Sequence, residues 1–263
     1  MNRTLILFAI VAVVSGCQQR QTMFPQGTWH DLSYDFSEET IYWPTADTFK
    51  REKVFYGLTE LGYFYSANNF SAAEHGGTHL DSPIHFSSGR ITADKIPLER
   101  LIGPGVIVDV SKPALADRDY LISRQDIESW EAKHGRIGKG MIVLLKTGYG
   151  KFYPDRMKYM GTDELGPLAV KKLHFPGLHP DAASFLAKTR QIKAVGIDTP
   201  SIDRGQSAEF KTHQILAGED IPIFENVAHL DGLPSAGIFV VALPMKIKDG
   251  SGGPLRIAAF VPR

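Results

Sequence analysis

Five runs of apolar, largely β-branched residues constrain this chain more than any other feature: Val106–Val110, Met141–Lys146, Ala194–Asp198, Ile238–Leu243 and Ile257–Val261. Each is too short for a buried helix and almost free of polar residues, which is the pattern of strands covered on both faces. Helical signals are fewer. Ser123 with Asp126 three residues later makes a capping-box start for a helix over Ser123–His134, and Pro180 reads as the first-turn proline of a helix reaching about Lys188. Strands outnumber helices, so the expected class is α/β: a single compact domain around a mixed β-sheet rather than a regular βαβ repeat. Gly103-Pro104-Gly105 reads as a turn ahead of the first run.

Composition supports one folded body. With 263 residues, 43% hydrophobic and 22% charged, the chain can bury a substantial core, and wholesale disorder is excluded. No internal repeat, low-complexity tract or Ser/Gly-rich linker divides it. The 29 basic side chains balance 29 acidic ones, which leaves no electrostatic footprint for nucleic acid.

The amino terminus has its own logic. Arg3 precedes an apolar run from Leu5 to Val14, long enough for the core of a signal peptide and well short of the ~20 residues of a membrane-spanning helix. The run ends in Val14-Ser15-Gly16-Cys17, which resembles a bacterial lipobox. The expectation is a lipoprotein signal peptide over 1–16, lipidation at Cys17 and a polar tether over 17–28, with the folded domain over 29–263. Gln18 rather than Asp after the cysteine points to the periplasmic side of the outer membrane in a Gram-negative envelope. Cys17 is the only cysteine, so any metal must be held by His, Asp and Glu.

The chemistry concentrates in His75-Gly76-Gly77-Thr78-His79-Leu80-Asp81-Ser82-Pro83-Ile84-His85-Phe86. Three of the chain's nine histidines and one aspartate fall within eleven residues, all at odd positions, so an extended segment projects them to one side. Gly76-Gly77 and Pro83 oppose a regular helix, and Pro83 opposes a central strand, which leaves an extended, kinked loop with converging polar side chains. Imidazole and carboxylate together suit Zn²⁺ or Mn²⁺, and three such ligands leave a position open for water. A lone histidine here would more simply be a packed core residue; His-x₃-His-x-Asp-x₃-His with glycines between is a ligand pattern. Downstream, His213 and Glu225 offer a second imidazole and a carboxylate able to bridge, enough for a two-metal site. No nucleophile elbow, His-Glu-x-x-His, phosphate-binding glycine loop or dinucleotide fingerprint competes with this reading. Asp198 and Asp203 read as strand-end and turn residues ahead of a role in hydrogen-bonding the ligands, and His174, His179 and His229 as local packing or surface residues.

The segment His75–Phe86 resembles the metal-dependent cyclase-like hydrolases, which include bacterial kynurenine formamidases and isatin hydrolases. Trp29–Ser33, Tyr42-Trp43-Pro44, Leu144–Gly148 and Val195–Asp203 resemble further elements of that family. The resemblance implies a compact β/α/β fold of the swivelling type and a homodimer or homotetramer. It implies that His75, His79 and Asp81 bind one divalent metal, Zn²⁺ ahead of Mn²⁺, while His213 holds a second and Glu225 bridges. His85 would be the general acid/base, with an exchange of roles among the histidines left open, and Trp43 would line the substrate pocket. The implied reaction is hydrolysis of a C–N amide bond in a small aromatic substrate. An arylformamidase acting on N-formylkynurenine comes first, an isatin-type opening of a cyclic amide second, and a metal-dependent binding lipoprotein without turnover third.

Trp43 with Phe64, Tyr65 and Phe70 offers an aromatic wall for such a substrate. The segment between Tyr149 and Phe175 is longer than compact formamidases carry and reads as a lid, an oligomer contact or a modifier of the pocket.

Overall fold

A computed structural model describes residues 25–263. Cys17, the signal sequence and all but the last residues of the expected tether lie outside the described residues. The strands in chain order are β1 (Gly27–Asp31), β2 (Lys50–Leu58), β3 (Phe64–Ser71), β4 (His79–Asp81), β5 (Ile102–Asp109), β6 (Leu121–Ile122), β7 (Ile142–Lys146), β8 (Gly177–Leu178), β9 (Ala194–Ile197), β10 (Ile223–Glu225), β11 (Ile238–Pro244) and β12 (Gly252–Pro262). Each of the five apolar runs becomes a strand of one eight-stranded sheet, ordered β1-β12-β11-β5-β7-β9-β10-β4. β12 also pairs with β4, so the sheet closes on itself like a barrel.

Sequence and burial agree strand by strand. β5, β7 and β9 run parallel at the centre, and β7 and β9 are buried almost throughout, as unbroken apolar runs require. β11 is antiparallel and alternates buried with exposed positions, because it faces solvent on one side. One core cluster, including Val143, Leu145, Val195, Ile197 and Leu186, lies beneath the helices. A second, including Leu80, Leu144, Phe224, Val240 and Ile257, fills the opposite face of the sheet.

Gly103-Pro104-Gly105 is not a turn but the first half of β5, paired with β11. Gly105 explains the difference: a Cβ there would lie 2.6 Å from Val240 Cγ2, so only glycine lets the two strands approach this closely. The capping box forms as expected, with Ser123 accepting from the Asp126 amide at the start of the helix Arg124–His134. The helix opened by Pro180 spans Pro180–Ser184 and loosens into a wider turn over Phe185–Arg190.

β2 and β3 stand apart from the main sheet as a two-stranded antiparallel ribbon. The segment 149–175 is packed rather than draped: Tyr149, Tyr159, Met160, Leu173 and Phe175 form a third small core with Ile41, against which Trp43 rests.

Candidate active site

The motif folds as an irregular stretch from His75 to Thr78, then β4, then a 3₁₀ turn over Pro83–His85. His79 and Asp81 lie two apart on β4 and project to one face. β10 pairs antiparallel with β4 and sets Glu225 directly opposite His79. Sheet register therefore places three donors together. His85 reaches the same space through the 3₁₀ turn, which begins at the buried Pro83.

The two motif glycines have separate causes. A Cβ on Gly76 would lie 2.0 Å from Tyr42 Cδ1, so the Tyr42 ring packs flat on its backbone. Gly77 has φ +54°, the left-handed conformation that favours glycine.

His213 comes from the first turn of the helix Lys211–Gly218. Asp203 accepts from the backbone amides of Thr212 and His213 at 3.2 and 3.0 Å, and from His213 Nδ1 at 2.7 Å. One carboxylate thus satisfies two unpaired donors of the helix start and aims the imidazole. His213 Nε2 then lies 3.2 Å from both Asp81 Oδ2 and Glu225 Oε1. His79 Nε2 lies 3.2 Å from Asp81 Oδ1 and 3.5 Å from Glu225 Oε2, while its Nδ1 meets the Gly77 carbonyl at 3.0 Å. His79, Asp81, His213 and Glu225 are all buried.

His75 sits to one side, with Nδ1 2.7 Å from Asp81 Oδ1 and Nε2 2.8 Å from Ser251 Oγ. Ser251 donates in turn to Glu74. The His85 ring stacks on His75 at 3.8 Å. Ligand atoms of His79, Asp81 and Glu225 form one compact group, and those of His75, Asp81 and His85 form another. All six residues picked out by sequence meet in one pocket, although His75 pairs with His85 rather than with His79.

Electrostatics match a cation site. Burial alone would raise Asp81, but the imidazoles of His75, His213 and His79 hold it well below the usual carboxylate range. Burial and the neighbouring Asp81 charge push Glu225 up. Burial works against a charged His213, yet hydrogen bonds to Asp203, Asp81 and Glu225 outweigh it and raise its pKa well above the ordinary value. His79 is raised by the same balance, with Asp81 and Glu225 as its partners. Lost hydration lowers His85 to about 4; the Asp81 charge opposes that shift, and the neighbouring imidazoles add to it. Two buried carboxylates facing two imidazoles, each imidazole backed on its other nitrogen, form a donor set that fits a divalent cation.

The donors form the floor of a cavity of about 300 Å³ whose walls include Ile41, Tyr42, Trp43, Phe86, Pro200 and Phe210. Phe86 lies 4.3 Å from the His213 ring, and Trp43 meets Phe210 edge-on at 6.3 Å. Trp43 is part of the wall of this cavity. Phe64, Tyr65 and Phe70 do not, because they lie on the β2–β3 ribbon, half exposed or more. Phe86 and Phe210 take their place as aromatic wall.

A profile of the Cyclase family matches residues 30–204. The chain belongs to that family. Among its relatives, the isatin hydrolase of Roseibium aggregatum is 35% identical over 210 residues, covering 77% of each chain. The kynurenine formamidase of Bacillus cereus is 27% identical over 230 residues, covering 87% of this chain and 95% of the relative. Isatin hydrolase A from Labrenzia aggregata, solved with benzyl benzoate, superposes with a TM-score of 0.80 at 32% identity over 90% of this chain and 94% of that one. The fold and the family are those the motif implied, and the relatives place the chain among metal-dependent hydrolases.

Asp203, Asn226, Ser251 and Phe210 are site residues that the sequence reading did not select. Asp203 carried a usable signal, ten residues before the candidate ligand His213 at the approach to a helix. The other three act through contacts that no local pattern announces.

Proposed function

We propose that the chain hydrolyses the ring amide of a small, uncharged aromatic cyclic amide of the isatin type. The carrying observation is the pocket itself. Its floor is the His/Asp/Glu cluster and its walls are apolar and aromatic, and among the described lining residues there is no Lys or Arg. A flat neutral ring fits such walls by burial and edge contacts. The higher identity to an isatin hydrolase than to the kynurenine formamidases supports the same choice.

A divalent cation, Zn²⁺ first and Mn²⁺ second, held by His79, Asp81, His213 and Glu225, with His75 at its edge, would supply Lewis acidity and a water acidified to near-neutral pKa. The chain's own residues do the rest. Trp43, Phe86 and Phe210 hold the ring and exclude water from its faces. His85, neutral near pH 7, takes a proton from the attacking water on a ring nitrogen and returns it to the leaving nitrogen as the C–N bond breaks. Water's oxygen joins the carbonyl carbon, one of its protons reaches the nitrogen and the other leaves to solvent, so the product carries a carboxylate and an aryl amine.

The second reading is an arylformamidase acting on N-formylkynurenine, supported by the 87% coverage of this chain in the match to the formamidase. That substrate carries an ammonium and a carboxylate, for which the described lining offers no Lys or Arg. Hydrolysis of isatin and N-formylkynurenine side by side, with chelator controls, tests the choice; turnover of the formamide alone would reverse it. His85→Ala should retain the metal and lose about 10²–10⁴-fold in turnover. A variant that stays active refutes the proton-carrier role. A wild-type protein that binds metal and turns over neither substrate supports the non-catalytic binder.

Two further parts of the proposal concern context. Assembly as a homodimer or homotetramer is supported by the apolar β2–β3 ribbon, which exposes Tyr56, Leu58, Phe64 and Tyr65. Attachment to the cell envelope through lipidated Cys17 is supported by the apolar run and Ser-Gly-Cys, and labelling with a radioactive fatty acid tests it.

A further inference from the structure

We propose that Tyr159 and Asn226 form a positioning relay that fixes the His79 imidazole for metal binding, with Tyr159 delivered by the 149–175 segment. The relay rests on reading His79 as a metal ligand. It is built from four buried hydrogen bonds. Asn226 Nδ2 donates to the Gly77 carbonyl at 2.6 Å, and that carbonyl lies 3.0 Å from His79 Nδ1. A carbonyl only accepts, so Nδ1 keeps its proton, and Nε2, which faces Asp81 and Glu225, is the nitrogen that sheds its proton and ligates. With its NH₂ on Gly77, the Asn226 amide must turn Oδ1 to the Tyr159 hydroxyl, which donates to it at 2.9 Å and shares its proton with the Asp198 carbonyl at 3.1 Å.

Asn226 is suited to this post. It directly follows Glu225 and takes φ +51°, a left-handed conformation that asparagine tolerates. Its own carbonyl accepts from Thr78 Oγ1 at 2.8 Å. One residue is thus tied to both stretches that supply the donors. Tyr159 is 0% and Asn226 2% exposed, so neither polar group has bulk water to fall back on. Removing the Tyr159 hydroxyl leaves Asn226 Oδ1 without its donor. The amide then loses one of its two restraints, and the Gly77 carbonyl that it holds against His79 Nδ1 is less firmly placed.

Outer partners of metal-bound histidines are commonly worth about 10–100-fold in metal affinity. The test measures Mn²⁺ affinity by chelator competition, and the visible absorption of the Co²⁺-loaded protein, for Tyr159→Phe, Asn226→Asp, His79→Ala and Leu173→Val. Leu173 lies in the same small core and touches none of the relay hydrogen bonds. Tyr159→Phe should stay folded, lose about tenfold in Mn²⁺ affinity and shift the Co²⁺ spectrum, while Leu173→Val lowers stability alone. Wild-type affinity and spectrum in Tyr159→Phe overturn the relay, as does an equal shift in Leu173→Val, which would mark a packing effect. If Tyr159→Phe does not fold, Asn226→Asp decides: it keeps the acceptor for Tyr159 but sets oxygen against Gly77, so unchanged affinity overturns the relay. If His79→Ala keeps wild-type affinity, the ligand assignment fails and the relay with it; if His79→Ala loses the metal while Tyr159→Phe does not, only the relay fails.

Discussion

Asp81 is the residue on which the site turns. It shares contacts with His75, His79 and His213 and is buried with Glu225 beside it. In the metal-free protein the carboxylates hold His79 and His213 protonated above the usual histidine range. The sign of the metal linkage follows. Both imidazoles must shed a proton to ligate, so acid competes with the metal and affinity rises as pH rises through their elevated pKa values. Calorimetric titration of Mn²⁺ into apoprotein near pH 7, in buffers of different ionisation enthalpy, should show net release of protons on metal binding. Release of none would mean that these imidazoles are already neutral. At the same scale, Asp203 stays ionised: burial opposes its charge, but His213 and the amides of Thr212 and His213 outweigh that cost. It can therefore brace His213 across the working pH range.

Among the elements, the end of β9 makes a separate prediction. Asp198, just past its last residue, accepts from Thr147 N and Oγ1 and from Gly148 N, and so holds the turn that follows β7. Burial outweighs those bonds and raises its pKa from 3.8 to about 6. A carboxyl raised by folding favours the native state while protonated. This contribution, about 3 kcal/mol by linkage, is full below the unfolded value and is lost as pH climbs through about 6. Urea unfolding across pH 4–8 should show wild-type stability falling relative to Asp198→Asn as pH rises; parallel curves would place the Asp198 pKa at its ordinary value. The five sheet runs were legible in sequence because burial on both faces leaves an unbroken apolar signature. β4 and β10 were not, since three residues are too few for any period, and their pairing is fixed by β12 and β9 on either side. The ligand motif was legible because its donors are adjacent in sequence. Asn226 and Asp203 were not, because what they hold lies at the other end of a hydrogen bond rather than at a spacing.

For the whole molecule, the β2–β3 ribbon is the part on which the proposed assembly rests. Tyr56 is 68% exposed, Leu58 72% and Phe64 58%, and a two-stranded ribbon on its own is marginal in water. Replacing residues 52–69 with a two-residue turn should convert a homo-oligomer into a monomer by light scattering at equal concentration. An unchanged mass would remove the ribbon from the assembly. The closed sheet has a different consequence. The pocket's floor is set largely by register between β4 and β10, whereas its walls come from the 41–43 stretch, Phe86 and Phe210 outside the sheet. Apart from Phe86, which ends the ligand motif, selectivity is therefore written in passages of the chain separate from reactivity. A lineage could exchange one aromatic substrate for another by editing the walls alone, and the reaction itself would be inherited unaltered.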